Sequence, residues 1–213
     1  NKIITADEKK TIAFHEAGHA TISWLLQYAP PLVKVTIVPR GQSLGAAWYL
    51  PEERSITTTE QLLDQMCSAL GGRAAEQIMF DKISTGALSD LEKVTKQAYA
   101  MVSIYGLNKR VGNLSYYDSQ GRDYFTKPYS EDTAKMIDEE VSLLIEAQYQ
   151  RAIEVLTAHK DKLEALAEKL LTDEVIFKED LEQIIIPMAL DGKEPIGSMG
   201  TDTQAPKPEP CES

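Results

Sequence analysis

The stretch Thr5–Pro31, TADEKKTIAFHEAGHATISWLLQYAPP, decides how the rest of the chain is read. Thr5 followed three residues later by Glu8 is the pattern of a capping box, which satisfies two free N–H groups at a helix start. Pro30 and Pro31 end a helix firmly, so one helix is predicted over Thr5–Ala29. Inside it, His15, Glu16 and His19 form H-E-x-x-H. Residues four apart lie on one face of a helix, one turn apart. The two imidazoles can therefore meet a single metal ion with no distortion of the backbone. Glu16 stands beside them, where its carboxylate can take a proton from an attacking water rather than bind the ion. Zinc is the ion this donor pattern suits. Ala17, Gly18 and Ala20 leave room for close approach of metal, substrate or neighbouring backbone.

The third ligand is the harder question. One zinc-peptidase class extends the motif with a further glycine and histidine, but those positions hold Ile22 and Leu25. The only other histidine, His159, stands beside Lys160 and Asp161 and reads as a surface residue. A carboxylate is therefore expected, and two candidates stand close to even. Glu76 lies in a helix, where it could ligate the metal or pair with Arg73 at i, i+3. Asp90 opens a helix after the small-residue turn Ser84–Ser89, where an acid also suits the helix N-terminus.

Outward from this helix the chain reads as mainly α. Leu32–Val38 and Leu44–Leu50 are rich in Val, Ile, Trp and Tyr, and predict a small β hairpin or sheet in the N-terminal third. A helix is predicted from Thr58 to about Phe80; the costly pair Gly71-Gly72 implies close packing there or a break. Another should run from Ser89 to Tyr105, with Gly106 as its stop. Residues 107–128 are the least regular. A long helix over Ser130–Thr157 and shorter ones over Lys160–Leu171 and Lys178–Ile186 complete the pattern. Beyond Asp191 the sequence is rich in Pro, Gly, Asp and Glu and is read as a disordered tail. The expected division is a helical, zincin-type peptidase domain over 1–190 and a tail over 191–213.

Composition sets the outer limits. The 213 residues can bury a sizeable core. With 22 Lys and Arg against 33 Asp and Glu, the formal charge of −11 argues against a nucleic-acid surface. The two cysteines, Cys67 in an apolar run and Cys211 in the polar tail, form no disulfide framework and no CxxC pattern. Cys67 is expected to be a core thiol. No run of about 20 apolar residues is present to span a membrane, and no signal peptide is visible. The chain opens with Asn and is expected to be a fragment of something longer.

Several ordered blocks together carry a family resemblance. They are His15–His19 (HEAGH), Val35–Gly41 (VTIVPRG), Leu44-Gly45, Leu50–Glu52 (LPE), Leu70–Glu76 (LGGRAAE), Ser84–Ala87 (STGA) with Asp90-Leu91, and Ile137–Val141 (IDEEV). From Thr5 to Ile186 the chain resembles the peptidase domain of the FtsH family, membrane-anchored AAA+ zinc metalloproteases. Gly45–Leu50 and Lys127–Ser130 look most like the Bacteroidetes branch. The resemblance implies one zinc per chain held by His15, His19 and Asp90, with Glu16 as general base and Glu76 as a nearby acid in the helix packing. It also implies a homohexamer acting on unfolded or membrane-extracted polypeptides at the cytoplasmic side of the bacterial inner membrane, or alternatively at the mitochondrial inner membrane. ATP would serve the whole protein without binding to these residues, which contain no phosphate loop, and membrane contact would come only through segments outside them.

Two other readings compete. One keeps the site but makes the chain a self-standing zinc peptidase working without ATP. The other is a non-catalytic helical oligomerisation module, against which the complete H-E-x-x-H argues. In either peptidase reading, Ser43–Leu50 could offer an edge along which an extended substrate pairs through its backbone.

Overall fold

The computed structural model describes residues 4–39, 44–50, 55–117 and 127–185. The chain runs α1 (Ala6–Leu25), β1 (Leu32–Thr36), β2 (Ala46–Tyr49), α2 (Thr59–Phe80), a 3-10 turn (Thr85–Ala87), α3 (Leu88–Ser103), α4 (Glu131–Ala158), α5 (Lys160–Asp173), β3 (Val175–Phe177) and α6 (Lys178–Ile185). It is mainly helical with one small antiparallel sheet, as the sequence pattern predicts. The expected tail over 191–213, with Cys211, lies outside the described residues, as do Arg40–Ser43 and Pro51-Glu52.

Capping chemistry sets the helix starts. Thr5 Oγ1 accepts the Glu8 N–H at 3.2 Å, and Glu8 Oε2 accepts the Thr5 N–H at 2.8 Å. Thr58 and Gln61 repeat the arrangement at the head of α2. α1 stops at Leu25, four residues short of the predicted end, because Leu26 is extended and the Tyr28 N–H donates to Asp64 Oδ2 at 3.0 Å. Asp64 is itself held by Arg151 of α4 at 2.7 Å, so a buried carboxylate fixes where the chain leaves α1.

α1 is the central element. Every residue from Ala13 to Ser23 is buried, so the helix is enclosed on all sides rather than lying on a surface. It packs against α2 and α5, while α2 packs against α4. Ile22, Met66, Leu70, Ile137, Leu156, Leu163, Leu166 and Leu170 fill the space between them and are all at most 2% exposed. The α1–α2 crossing depends on glycine: a Cβ on Gly18 would stand 2.3 Å from the Gly71 carbonyl oxygen. Gly71-Gly72 therefore mark close packing inside a continuous helix, not a break.

The sheet has the order β2-β1-β3, with both pairings antiparallel. Val35 stands opposite Ala47 on one side and Ile176 on the other. β3 was not foreseen in the sequence reading. Among the described residues β2 is an edge of the sheet, beside α1, where Tyr49 receives the Ser23 hydroxyl at 3.4 Å.

Candidate metal centre

Three elements bring the site together. α1 supplies His15, Glu16 and His19, the head of α3 supplies Asp90, and α2 forms the wall behind. His19 Nε2 lies 3.1 Å from His15 Nε2, and Asp90 Oδ2 lies 3.3 Å from each of these nitrogens. Both histidines are less than 8% exposed. The three form a group that could hold a metal ion.

The donor set suits a cation. His19 Nδ1 stands 2.9 Å from the Ser68 carbonyl oxygen, which can only accept, so Nδ1 carries the hydrogen and Nε2 presents a lone pair. On His15, Nδ1 faces the Glu76 carboxylate at 3.4 Å, an electrostatic contact that stops short of a hydrogen bond. With a hydrogen on Nδ1 alone, Nε2 of His15 would turn its lone pair towards Asp90; with both nitrogens protonated, Nε2 donates to the Asp90 carboxylate instead. Ring lone pairs and a carboxylate crowded together repel one another unless a positive charge, a proton on His15 or a metal ion, lies among them. A tetrahedral ion with ligands at about 2.0–2.1 Å spaces those ligands about 3.3 Å apart, which is the size of this triangle.

The titration behaviour points the same way. Burial alone would push His15 down, but the Asp90 and Glu76 carboxylates on either side, helped by Glu16, lift it to about 9. Burial would raise Asp90, yet the two imidazoles hold it well below the usual carboxylate range. The field that retains a proton on His15 would equally retain a divalent cation. Glu16 differs: burial pushes its carboxyl up, and the nearby histidines only partly oppose this. It is 8% exposed and adjoins the same cavity, which has a volume of about 370 Å³ and an edge formed by Gly45, Ala46, Ala47 and Tyr49.

Residues 2–184 match peptidase family M41. The chain belongs to that family. A second match, to the glutamate synthase central domain, covers only residues 172–207 and touches no residue of the site. Among curated relatives, the chain is similar to the ATP-dependent zinc metalloprotease FtsH of Parabacteroides distasonis, 63% identical over 86% of this chain and 27% of the relative. It is 55% identical to the protein of the same name from Karelsulcia muelleri, over 87% of this chain and 30% of that one. It is 46% identical to a mitochondrial inner membrane m-AAA protease component of Mus musculus, over 97% and 27%. The chain thus spans about a quarter to a third of the length of these relatives.

The M41 membership bears out the FtsH resemblance, and the structure adds what sequence reasoning missed. Glu76 does not pair with Arg73 among the described residues. It turns inward, 2% exposed, and accepts the Ser84 N–H at 3.0 Å and the Ser84 hydroxyl at 2.8 Å while facing His15. Burial would raise its carboxyl, but His15 and Ser84 together bring it below the ordinary range. It lies on the far side of the His15 ring from Asp90. Ser68 was also missed: its carbonyl orients His19, and its hydroxyl meets Ser23 at 2.5 Å. A backbone acceptor leaves no residue-type signal, so no sequence pattern could have found it. His159 lies at the end of α4, with Nδ1 2.9 Å from the Val155 carbonyl oxygen and no part in the site.

Proposed function

We infer that this chain is the zinc endopeptidase domain, residues 1–190, of an ATP-dependent, membrane-anchored AAA+ protease, with 191–213 as a tail. The observation that carries the reading is the convergence of His15 Nε2, His19 Nε2 and Asp90 Oδ2 at 3.1–3.3 Å beside the buried Glu16. His15, His19 and Asp90 would hold the zinc, with Glu76 and the Ser68 carbonyl orienting the two imidazoles from behind. Zinc, when bound, supplies the Lewis acidity that polarises a peptide carbonyl and acidifies water near neutral pH.

The chain's own groups do the rest. Glu16 accepts a proton from the attacking water and returns it to the departing amine. Burial raises its proton affinity, which suits a base that must also act as an acid. Among the described residues β2 is the sheet edge beside the cavity, and its backbone groups turned away from β1 would align an extended substrate. Main-chain pairing of this kind needs an unfolded segment, which fits polypeptides unfolded or extracted from membranes. The relatives' names, an ATP-dependent zinc metalloprotease and an inner-membrane protease component, support a whole protein that uses ATP in regions outside these residues; in this reading it assembles as a homohexamer and works in membrane-protein quality control. Its place would be the cytoplasmic side of a bacterial inner membrane. No described helix here is long and apolar enough to cross a membrane.

The test is Glu16→Gln in the intact zinc-loaded protein, with metal content and casein hydrolysis measured together. Zinc should remain at about one per chain while hydrolysis falls at least about 100-fold, the scale of a lost general base. Undiminished hydrolysis would remove Glu16 from the mechanism.

A further inference from the structure

α3 carries Asp90, Lys93 and Gln97 at i, i+3 and i+7, and all three line the metal cavity. They form one stripe leading away from the histidines along the helix axis. At about 1.5 Å of rise per residue, Lys93 stands about 4.5 Å beyond Asp90 and Gln97 about 10 Å beyond it. An extended peptide advances about 3.3 Å per residue, so a chain following this wall meets Lys93 within two residues of the metal and Gln97 at about the third.

The two differ in what they have left to offer. Gln97 is committed: its amide donates to the Leu62 carbonyl oxygen at 3.2 Å and to Gln65 Oε1 at 3.4 Å. Lys93 is exposed and has no ion pair or hydrogen bond among the described residues. Its neighbour Glu92 is already paired with Lys96, and Asp90 with the two imidazoles. Lys93 is the one lysine or arginine in the described cavity lining, and its charge reaches Glu16. Away from the metal position, the acids of the described lining are Glu16 and Asp90, so Lys93 is the side chain there that would attract a substrate acid.

We propose that Lys93 is a specificity-determining residue whose ammonium receives an Asp or Glu side chain carried within two residues of the scissile bond, and which disfavours Lys or Arg there. This rests on the peptidase reading above. It gives the site a charge preference on top of the sequence-blind pairing along β2. An ion pair of this exposure should be worth about a three- to fivefold difference in kcat/KM.

The test uses the intact zinc-loaded protein and short peptides, which need no unfolding. Matched peptides carry Glu, Gln or Lys at each of the two positions on either side of one cleaved bond. At one position the protein should favour Glu over Lys, Lys93→Met should level that ratio, and Lys93→Glu should reverse it. Lys93→Arg should keep it. Ratios within a matched set cancel any general loss of activity or folding. Equal loss on all peptides, or an unchanged ratio in Lys93→Glu, would overturn the proposal while leaving the peptidase reading intact. A zinc-loaded protein that cleaved none of the peptides would overturn both.

Discussion

Gly72 lies so close to His15 that a Cβ on it would stand 2.4 Å from the imidazole Nε2. The bare α-carbon of α2 is the surface against which the ring rests, so glycine there is part of the candidate metal centre. Gly72→Ala sets two effects against each other. Alanine favours the helix by about 1 kcal/mol, while the overlap costs about 1–3 kcal/mol. The fold should survive, because the ring can be pushed aside. The metal centre should not: zinc affinity is expected to fall at least about tenfold, as when a ligand loses its orientation. Chelator competition beside thermal unfolding measures both, and zinc affinity equal to wild type would contradict the contact.

Asp90 and Glu76 divide the two sides of the His15 ring between them. Asp90 Oδ2 faces Nε2 at 3.3 Å and Glu76 Oε1 faces Nδ1 at 3.4 Å. Asp90→Asn removes a charged donor from the cluster. Glu76→Gln leaves the three donors in place and loosens only the orientation of one. Chelator titration should show the Asp90 change to be the more damaging, with Glu76→Gln costing about 10–100-fold in affinity. The reverse order would exchange their roles.

That division also marks where the sequence stopped being informative. Helix spacing places His15 and His19 on one face, and the Thr5–Glu8 capping box forms as its pattern predicts. Neither spacing nor composition says which nitrogen of a ring meets which acid, so Glu76 and Asp90 stayed even until the family resemblance separated them. β3 was hidden for a different reason: three residues between two helices are too few to show a two-residue period. Its strand character comes from pairing with β1, and from the turn at Glu174, whose φ of 62° sends the chain back along the sheet. The early end of α1 depends on Asp64, some 36 positions away from the Tyr28 N–H it receives. Local patterns were legible; partners distant in sequence were not.

Cys67 makes a prediction about pH. Burial in the core pushes its thiol up to about 12, with the nearby Arg151 opposing this only partly. An unfolded cysteine ionises near 8.5. The folded state therefore holds the proton more tightly, and its advantage is fully present below about pH 8.5. That advantage is lost as pH rises from there towards 12. Cys67 should resist alkylation by iodoacetamide at pH 8 in the native protein, and react rapidly once unfolded in denaturant, as read by mass spectrometry of the Cys67 peptide. Rapid labelling of Cys67 in the native state would contradict its burial.

Gly45 stands to Glu16 as Gly72 stands to His15. A Cβ on Gly45 would lie 2.7 Å from Glu16 Oε1 and 2.9 Å from its Cγ. The obstructed atoms belong to the end of a side chain that can swing, so Gly45→Ala should displace the carboxylate and leave the backbone intact. The metal donors are not touched by this change. Zinc content and unfolding temperature should stay close to wild type, while kcat falls by about 10–100-fold as the base loses its position. Gly72→Ala should do the opposite at the first step, releasing zinc before any effect on Glu16 can be read. Measuring zinc content and kcat for both variants separates the two contacts. If Gly45→Ala lost zinc as readily as Gly72→Ala, the carboxylate of Glu16 would belong with the metal donors rather than beside them.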